Sequence, residues 1–538
     1  MRPVGTTTVD STVSDSANAA DQAEGDGGKA PAGGLEMVGE REGAEEFYDG
    51  EAEVSSQCCG RLSPTTIVYM SAFVSSLTSV LLGYDVGVIS GAIKYIQADF
   101  DLSTLQKAMI VSSLNLVAAA GGLVAGTVSD TLGRKRSIAA ACLVFITGSI
   151  IKIAAQSFGV LLLGRIVTGV GVGCGFVVAP VYIAEITPPH VRGRLTALTA
   201  DISINLGIVI GYLVAFGVAA TVEGDGGKWR TMLGISIIPP FIILSSLCLL
   251  PESPRWLLGK GREREAFSVL CTIVSTGEMA KRELAEMKVV AGEESDGKAT
   301  WSELLFTTSP ALRSTLILGL GLGIAQQASG SEAAVYYSPS VLDDAGLTSD
   351  SAQLGGNILV GLFKLGGEVF AYFLVDRTGR RPLFITSSTL VTFFLVFLAI
   401  LFSASAPAWM TLGGLCLFMW SFSLGMGALT FLVAAEIFPL RYRGRGVSLT
   451  VCVNRLTSGL VALAFPLLEA GFTAGGTFFL FSLLSVGTVW FYYTKVPETI
   501  NRTLEEISAG ASKEVAERDT ATALGLAPVA QPGTMDAL

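Results

Sequence analysis

The sequence predicts an all-α membrane protein: twelve transmembrane helices, arranged as two six-helix pseudo-repeats and joined by cytoplasmic linker helices. Three observations carry this. Half of the 538 residues are hydrophobic and only 15% are charged, and the mean hydropathy is +0.58, far from the balance of a water-soluble domain. Twelve apolar runs, each close to the roughly 20 residues a helix needs to cross a bilayer, follow one another along the chain. Three short motifs also recur in the same order: "SDTLGRKR" (129–136) as "VDRTGRR" (375–381), "AEITPPHVRGR" (184–194) as "AEIFPLRYRGR" (435–445), and "PES" (251–253) as "PET" (497–499).

The chain opens with an acidic tail, residues 1–62, rich in Gly, Ala, Ser and Thr. Residues 1–60 hold 13 acids and three bases, which alone account for the net charge of −10. Such a composition cannot bury a core, so the segment is expected to be a disordered, uncleaved cytoplasmic tail. The first half, 63–250, has spans near 64–93, 105–128, 137–157, 160–183, 195–219 and 229–250. Residues 251–310 are charged and amphipathic in pieces such as "GREREAFSVL" and read as a helical linker. The second half, 311–494, has spans near 311–337, 352–375, 383–404, 408–433, 446–469 and 474–494, and 495–538 is a second tail.

Lys and Arg gather in alternate loops: Arg134 to Arg136, Arg192 and Arg194, the linker, Arg377 to Arg381, and Arg441 to Arg445. By the positive-inside rule these loops and both termini face the cytoplasm. Acids stand beside them: Asp130 and Glu185 near Arg134 and Arg192, Asp376 and Glu436 near Arg380 and Arg443. Such pairs are expected to latch the two halves in one conformation. Parallel six-helix halves are the architecture in which a midplane site opens alternately to each side.

From Pro64 to Ile93 the only charge is Asp85. A charge at mid-bilayer costs ~2.5–3.5 kcal/mol even on a mild insertion scale, so such residues face a cavity or one another. Arg165, Asp201, Glu332, Lys364 and Glu368 are the other charges considered within spans. Lys364 and Glu368 lie one helical turn apart and are expected to pair. Gly83, Gly87 and Gly91 form one four-spaced row and Gly169 and Gly173 another on the face of Arg165; both predict close helix packing, which would bring Asp85 and Arg165 within reach. "RIVTGVGVGCG" (165–175) lies inside a span with no preceding strand and no P-loop lysine, so it is not a nucleotide loop. Eight scattered cysteines and one histidine, His190, exclude a zinc site or disulfide framework, and no metal or cofactor is expected. Cys58 and Cys59 are more readily read as unmodified thiols than as palmitoylation sites.

The stretches "GYDVGVISGA", "GRKR", "RIVTGVGVG", "PVYIAEITPPHVRGR", "PESPRWLL", "QQASGSEAAVYYSP", "DRTGRRPL", "AAEIFPLRYRGRG", "NRLTSG" and "PETINRTLEEI" together resemble the sugar porter family of the major facilitator superfamily, most closely its polyol and monosaccharide proton symporters, over about 64–508. The resemblance implies that Asp85 carries the proton against Arg165. It implies that Asp201, Gln326, Gln327, Glu332, Tyr336, Lys364 and Asn454 bind a polyhydroxylated substrate. Charges at Asp201, Glu332 and Lys364, where hexose-carrying relatives have amides, tilt the expected substrate toward a linear polyol. Three departures stand out: "GALTF" (427–431) replaces Gly-Pro-x-x-Trp, removing a bending proline and putting Phe431 in place of an indole; Ser331 replaces an isoleucine; and "PETIN" replaces "PETKG".

The expected function is proton-coupled symport by alternating access. A facilitative hexose uniporter of the same fold is the alternative, and a non-transporting sugar sensor is less favoured. No enzyme is expected, because no nucleophile and base constellation is present. The expected partners are a small polyhydroxylated substrate, protons and the lipid bilayer, not nucleic acid, with a monomer in the plasma membrane as the working unit.

Overall fold

The computed structural model describes residues 63–187, 201–274, 276–295, 300–439 and 441–498, without the side chains of 290–295 and of residue 376. Expectations for the acidic tail, Cys58, Cys59, His190, Arg192 and the end of the chain therefore lie outside the described residues, as does that for the Asp376 side chain.

The first helix, Pro64–Phe100, starts where Ser63 accepts from the Thr66 amide and Pro64 occupies the first turn, where its missing N–H costs nothing. Helix Thr104–Leu132 opens with a reciprocal capping box between Ser103 and Gln106. Helices Arg134–Ile153, Phe158–Ile186 and Ser203–Thr221 follow, and Asp225–Leu247 crosses with a short 3₁₀ turn inside it. Four short helices, Pro254–Gly259, Glu263–Ile273, Gly277–Ser295 and Trp301–Leu305, occupy the expected linker.

The second half runs through Pro310–Ala328, Ser331–Asp344, Asp350–Thr378, Arg380–Ser403, Ala408–Ile437 and Arg443–Lys495. Among the described residues ten helices are long and apolar enough to cross a membrane. Two details separate this count from the expected twelve. The seventh span is broken at Ser329 and Gly330 into Pro310–Ala328 and Ser331–Asp344. Residues 443–495 form two helices joined at Thr473, whose φ of 63° and ψ of 168° are not helical. Large apolar side chains such as Phe73, Leu143, Phe373, Phe393 and Trp490 lie exposed on the outside, a surface suited to lipid rather than water. The chain is an integral, multi-pass membrane protein.

Both glycine rows pack closely, but not against each other. A Cβ at Gly83 or Gly87 would collide with the carbonyl oxygens of Ile204 and Ile208, so the first helix lies on helix 203–221. Gly169 and Gly173 meet Leu114, Val117 and Ala118 of helix 104–132. The first and fourth helices meet instead through Gly175, beside Thr78. Backbone approaches this close cannot absorb a methyl group, so Gly83→Ala is expected to destabilise the fold by ~1–3 kcal/mol. Thermal unfolding in detergent checks this; an unchanged melting temperature would mean that the two helices part freely.

The repeat is visible at one end of the bundle. Gly133 (φ +96°) and Gly379 (φ +88°) make the turns before helices 134–153 and 380–403, a backbone that L side chains rarely adopt. At the opposite end polar contacts join the halves: Lys94 pairs with Asp350 at 2.6 Å, the Tyr95 hydroxyl donates to Asp350 at 3.1 Å, and Lys107 donates to Ser340 at 3.2 Å. Helix 104–132 packs on 443–495, helix 203–221 on 350–378, and the first helix on 331–344.

Candidate functional site

Between the halves lies a cavity with about 550 Å³ of empty volume, solvent at its mouth included. Asp201, Gln326, Gln327, Glu332, Lys364 and Phe431, all expected as substrate residues, line it. So do Asn205, Ser331, Glu368 and Arg455, for which no substrate role was expected. Tyr336 and Asn454 do not line it. The Tyr336 hydroxyl is buried and accepts from Asn115 at 3.0 Å. Asn454 stands behind the wall, donating to Gln326 Oε1 at 2.6 Å and to the Gly323 carbonyl at 3.0 Å, and accepting from Gln327 at 3.3 Å. Both therefore hold the wall in place rather than form its surface.

The charges on the wall are tied across helices. Lys364 donates to Asn205 Oδ1 at 2.7 Å, and the Asn205 amide donates to Glu368 Oε2. The expected one-turn pair of Lys364 with Glu368 is thus replaced by a bridge, because an amide offers one acceptor and one donor and fits between a cation and an anion. This bridge also links the two halves. Glu332 pairs with Arg455 at 3.1 Å and accepts from Ser458, while Asn115 of the first half donates to Ser458 at 2.7 Å.

Three buried oxygens of this lining, Gln327 Oε1, Ser331 Oγ and Glu368 Oε1, have no hydrogen-bond partner. An unmet buried acceptor costs ~1–3 kcal/mol, so these atoms suit a ligand that brings hydroxyl groups. The replacement of isoleucine by Ser331 was the one signal in the sequence that could have marked that residue.

Phe431 lies edge-on to Phe176 with ring centroids 6.0 Å apart, and the Arg455 guanidinium sits 5.8 Å from the Phe176 ring. Helix 408–437 lacks the family's bending proline, yet it is not regular. Residues 423–427 form a π-helical segment, and Gln326 donates to the carbonyls of Met426 and Gly427 at 2.8 and 3.1 Å. Such bulges free backbone groups and are frequent at functional sites.

Asp85 lies beside Val86, which lines the cavity. Both of its oxygens are taken: Arg165 Nη1 reaches Oδ2 and Lys152 Nζ reaches Oδ1 at 2.9 Å. All three side chains are 0% exposed. Arg165 is anchored further by the carbonyls of Ile110 at 3.1 Å and Val111 at 3.3 Å. Lys152 and Arg455 are two in-span cations that the reading of the sequence passed over. Lys152 sits in the last turn of its helix and looks in the sequence like an interfacial anchor.

Each half has its own cluster at the Gly133 and Gly379 turns. Arg134 pairs with Glu185 at 2.9 Å and with Asp130 at 3.1 Å, and Glu252 accepts from the amides of Arg134 and Lys135 at 2.9 and 3.1 Å. In the second half Arg380 pairs with Glu436 at 3.2 Å, and Glu498 accepts from the amides of Arg380 and Arg381 at 3.0 and 3.1 Å. Arg443 donates to the Phe438 carbonyl at 3.4 Å. Among the described residues, these contacts form one cluster within each half. Glu252 and Glu498, part of the "PES" and "PET" repeat, cap the helices that follow the glycine turns, a role visible only once chain segments more than a hundred residues apart meet.

Two packed helical halves around a polar cavity, with a buried charge cluster beside it, define a membrane carrier of the major facilitator type. The chain belongs to the sugar transporter family: the family model "Sugar (and other) transporter" matches residues 71–510. It is 40% identical to probable polyol transporter 4 of Arabidopsis thaliana, over 91% of this chain and 94% of that one. It is 33% identical to the glucose transporter GlcP of Staphylococcus epidermidis, over 82% and 96%. Among solved structures it resembles the proton:xylose symporter XylE (TM-score 0.71, 27% identity, 83% of this chain and 99% of that one). It also resembles the inward-open form of XylE from E. coli (TM-score 0.71, 26% identity, 82% and 99%).

Proposed function

We propose that this protein is a proton-coupled symporter of a polyol or monosaccharide, working by alternating access. The observation that carries the reading is the cavity between the halves with its three unpartnered buried oxygens. Relatives named as polyol transporters and a structural neighbour named as a proton:xylose symporter support it. Gln326, Gln327, Asp201, Glu332 and Lys364 hold hydroxyls, with Tyr336 and Asn454 behind them and Phe431 as the apolar wall. Asp85 carries the proton beside Arg165. Asp130, Arg134, Glu185, Arg192, Asp376, Arg380, Glu436 and Arg443 form the cytoplasmic gate. The chain crosses the plasma membrane twelve times as two six-helix halves and works as a monomer, with the linker and both termini in the cytoplasm.

Uptake of a labelled panel of hexitols and hexoses at two external pH values, in cells lacking their own carriers, tests this. We expect faster uptake at the lower pH. Uptake of a panel member that ignores pH would leave a uniporter of the same fold in its place.

A further inference from the structure

We propose that Lys152 sets the charge of the proton-carrying site, and that wherever its ammonium is present it must give up its proton for transport to be coupled. The inference rests on the reading of Asp85 as the proton carrier. It starts from charge: Asp85, Arg165 and Lys152 are fully buried in direct contact, so in the charged form the cluster holds two cations and one anion. Adding a proton to Asp85 with both cations in place would bury two net charges among side chains with no exposure to solvent. Proteins avoid that state, since even one unpaired buried charge is costly.

A different bookkeeping of the same proton avoids it. The Lys152 Nζ–H to Asp85 Oδ1 hydrogen bond is 2.9 Å long. A proton that shifts along it leaves a neutral amine and a carboxylic acid beside the guanidinium, with the net charge unchanged. When the acid releases that proton to the open side, amine, carboxylate and guanidinium remain, and the net charge is zero. The loaded and empty sites then differ by one proton and never exceed one net positive charge. Arg165 cannot take this part, because guanidinium does not deprotonate in proteins, and its Nε and Nη2 are held by backbone carbonyls.

The surroundings leave Lys152 free for it. Its nitrogen faces Asp85, Arg165 and the Phe145 ring, 5.3 Å away. Tyr84, next to Asp85, is committed to the Met232 carbonyl at 2.8 Å. Tyr336 lies within electrostatic reach of Asp85 and Arg165, and Tyr337 of Arg165. Past the helix end Arg230 is paired with Asp99 at 3.3 Å and bound to the Ala155 carbonyl at 2.9 Å.

The test compares Lys152→Arg, which keeps the charge permanently, with Lys152→Met, which removes it permanently. Full-length protein in proteoliposomes is loaded with radiolabelled sorbitol, or glucose should sorbitol not be carried. Accumulation under an inward proton gradient is measured beside substrate exchange at equal pH, which reports folding and binding. One pH unit drives at most about tenfold accumulation per proton. Lys152→Arg is expected to exchange substrate yet accumulate none, while Lys152→Met still accumulates, since Asp85 and Arg165 alone again cycle between zero and one net charge. Accumulation by Lys152→Arg within about twofold of the unmodified protein, small against that ceiling, would overturn the inference. Loss of accumulation in Lys152→Met with exchange intact would do the same. Should Lys152→Arg fail even to exchange, loss of accumulation in Lys152→Met would still overturn the inference. Asp85→Asn in the same vesicles separates the two levels: normal accumulation there overturns the coupling reading itself and this inference with it, whereas its loss alongside a normal Lys152→Arg overturns only the role of Lys152.

Discussion

Asp85→Asn is expected to abolish uphill, pH-driven uptake while leaving substrate exchange measurable. The amide keeps the size of the carboxylate and can still accept from Arg165 or Lys152, but it cannot gain and lose a proton. The cavity itself is not touched, because Val86 rather than Asp85 lines it. A proton gradient of one pH unit would then drive no accumulation, where one coupled proton allows about tenfold. The measurement is the steady-state ratio of internal to external substrate in vesicles with an imposed gradient. Undiminished accumulation would remove Asp85 from the coupling mechanism.

The second large effect concerns what the cavity prefers. Asp201, Glu332 and Lys364 line the same cavity, and hydrogen bonds to ionised groups are roughly twice as strong as neutral ones. A flexible hexitol can turn its hydroxyls toward them. A rigid pyranose gains most from stacking on an indole, which Phe431 does not supply. Ordering a linear chain works the other way, at ~0.5–1.5 kcal/mol for each flexible group fixed. We therefore expect mannitol or sorbitol to compete better than glucose, by about tenfold or about 1.4 kcal/mol. Asp201→Gln together with Glu332→Asn should narrow that gap. Glu332→Asn also leaves Arg455 without its carboxylate; Glu332→Gln loses the same ion pair but keeps the side-chain length, so comparing the two separates charge from shortening. Glucose outcompeting every hexitol against the unmodified protein would return the hexose reading.

The fold class, the order of the helices and the pseudo-repeat were legible in the sequence, because the bilayer sets them through length and hydropathy alone, and those are local properties of the chain. Asp85 was legible for the same reason: a lone charge in an apolar run is costly wherever it lies. What only the tertiary structure decided is who partners whom. The seventh span reads as one continuous apolar run, yet it is split at Ser329 and Gly330. Asn205 was invisible as a neutral residue in an apolar run, and it becomes the bridge between Lys364 and Glu368. Lys152 and Arg455, in-span cations that the sequence did not single out, gain their carboxylate partners only when helices from distant parts of the chain pack. Burial cost can be read along a sequence, but its compensation is made between helices, and hydrogen-bond geometry over a few ångströms is fixed only when they pack.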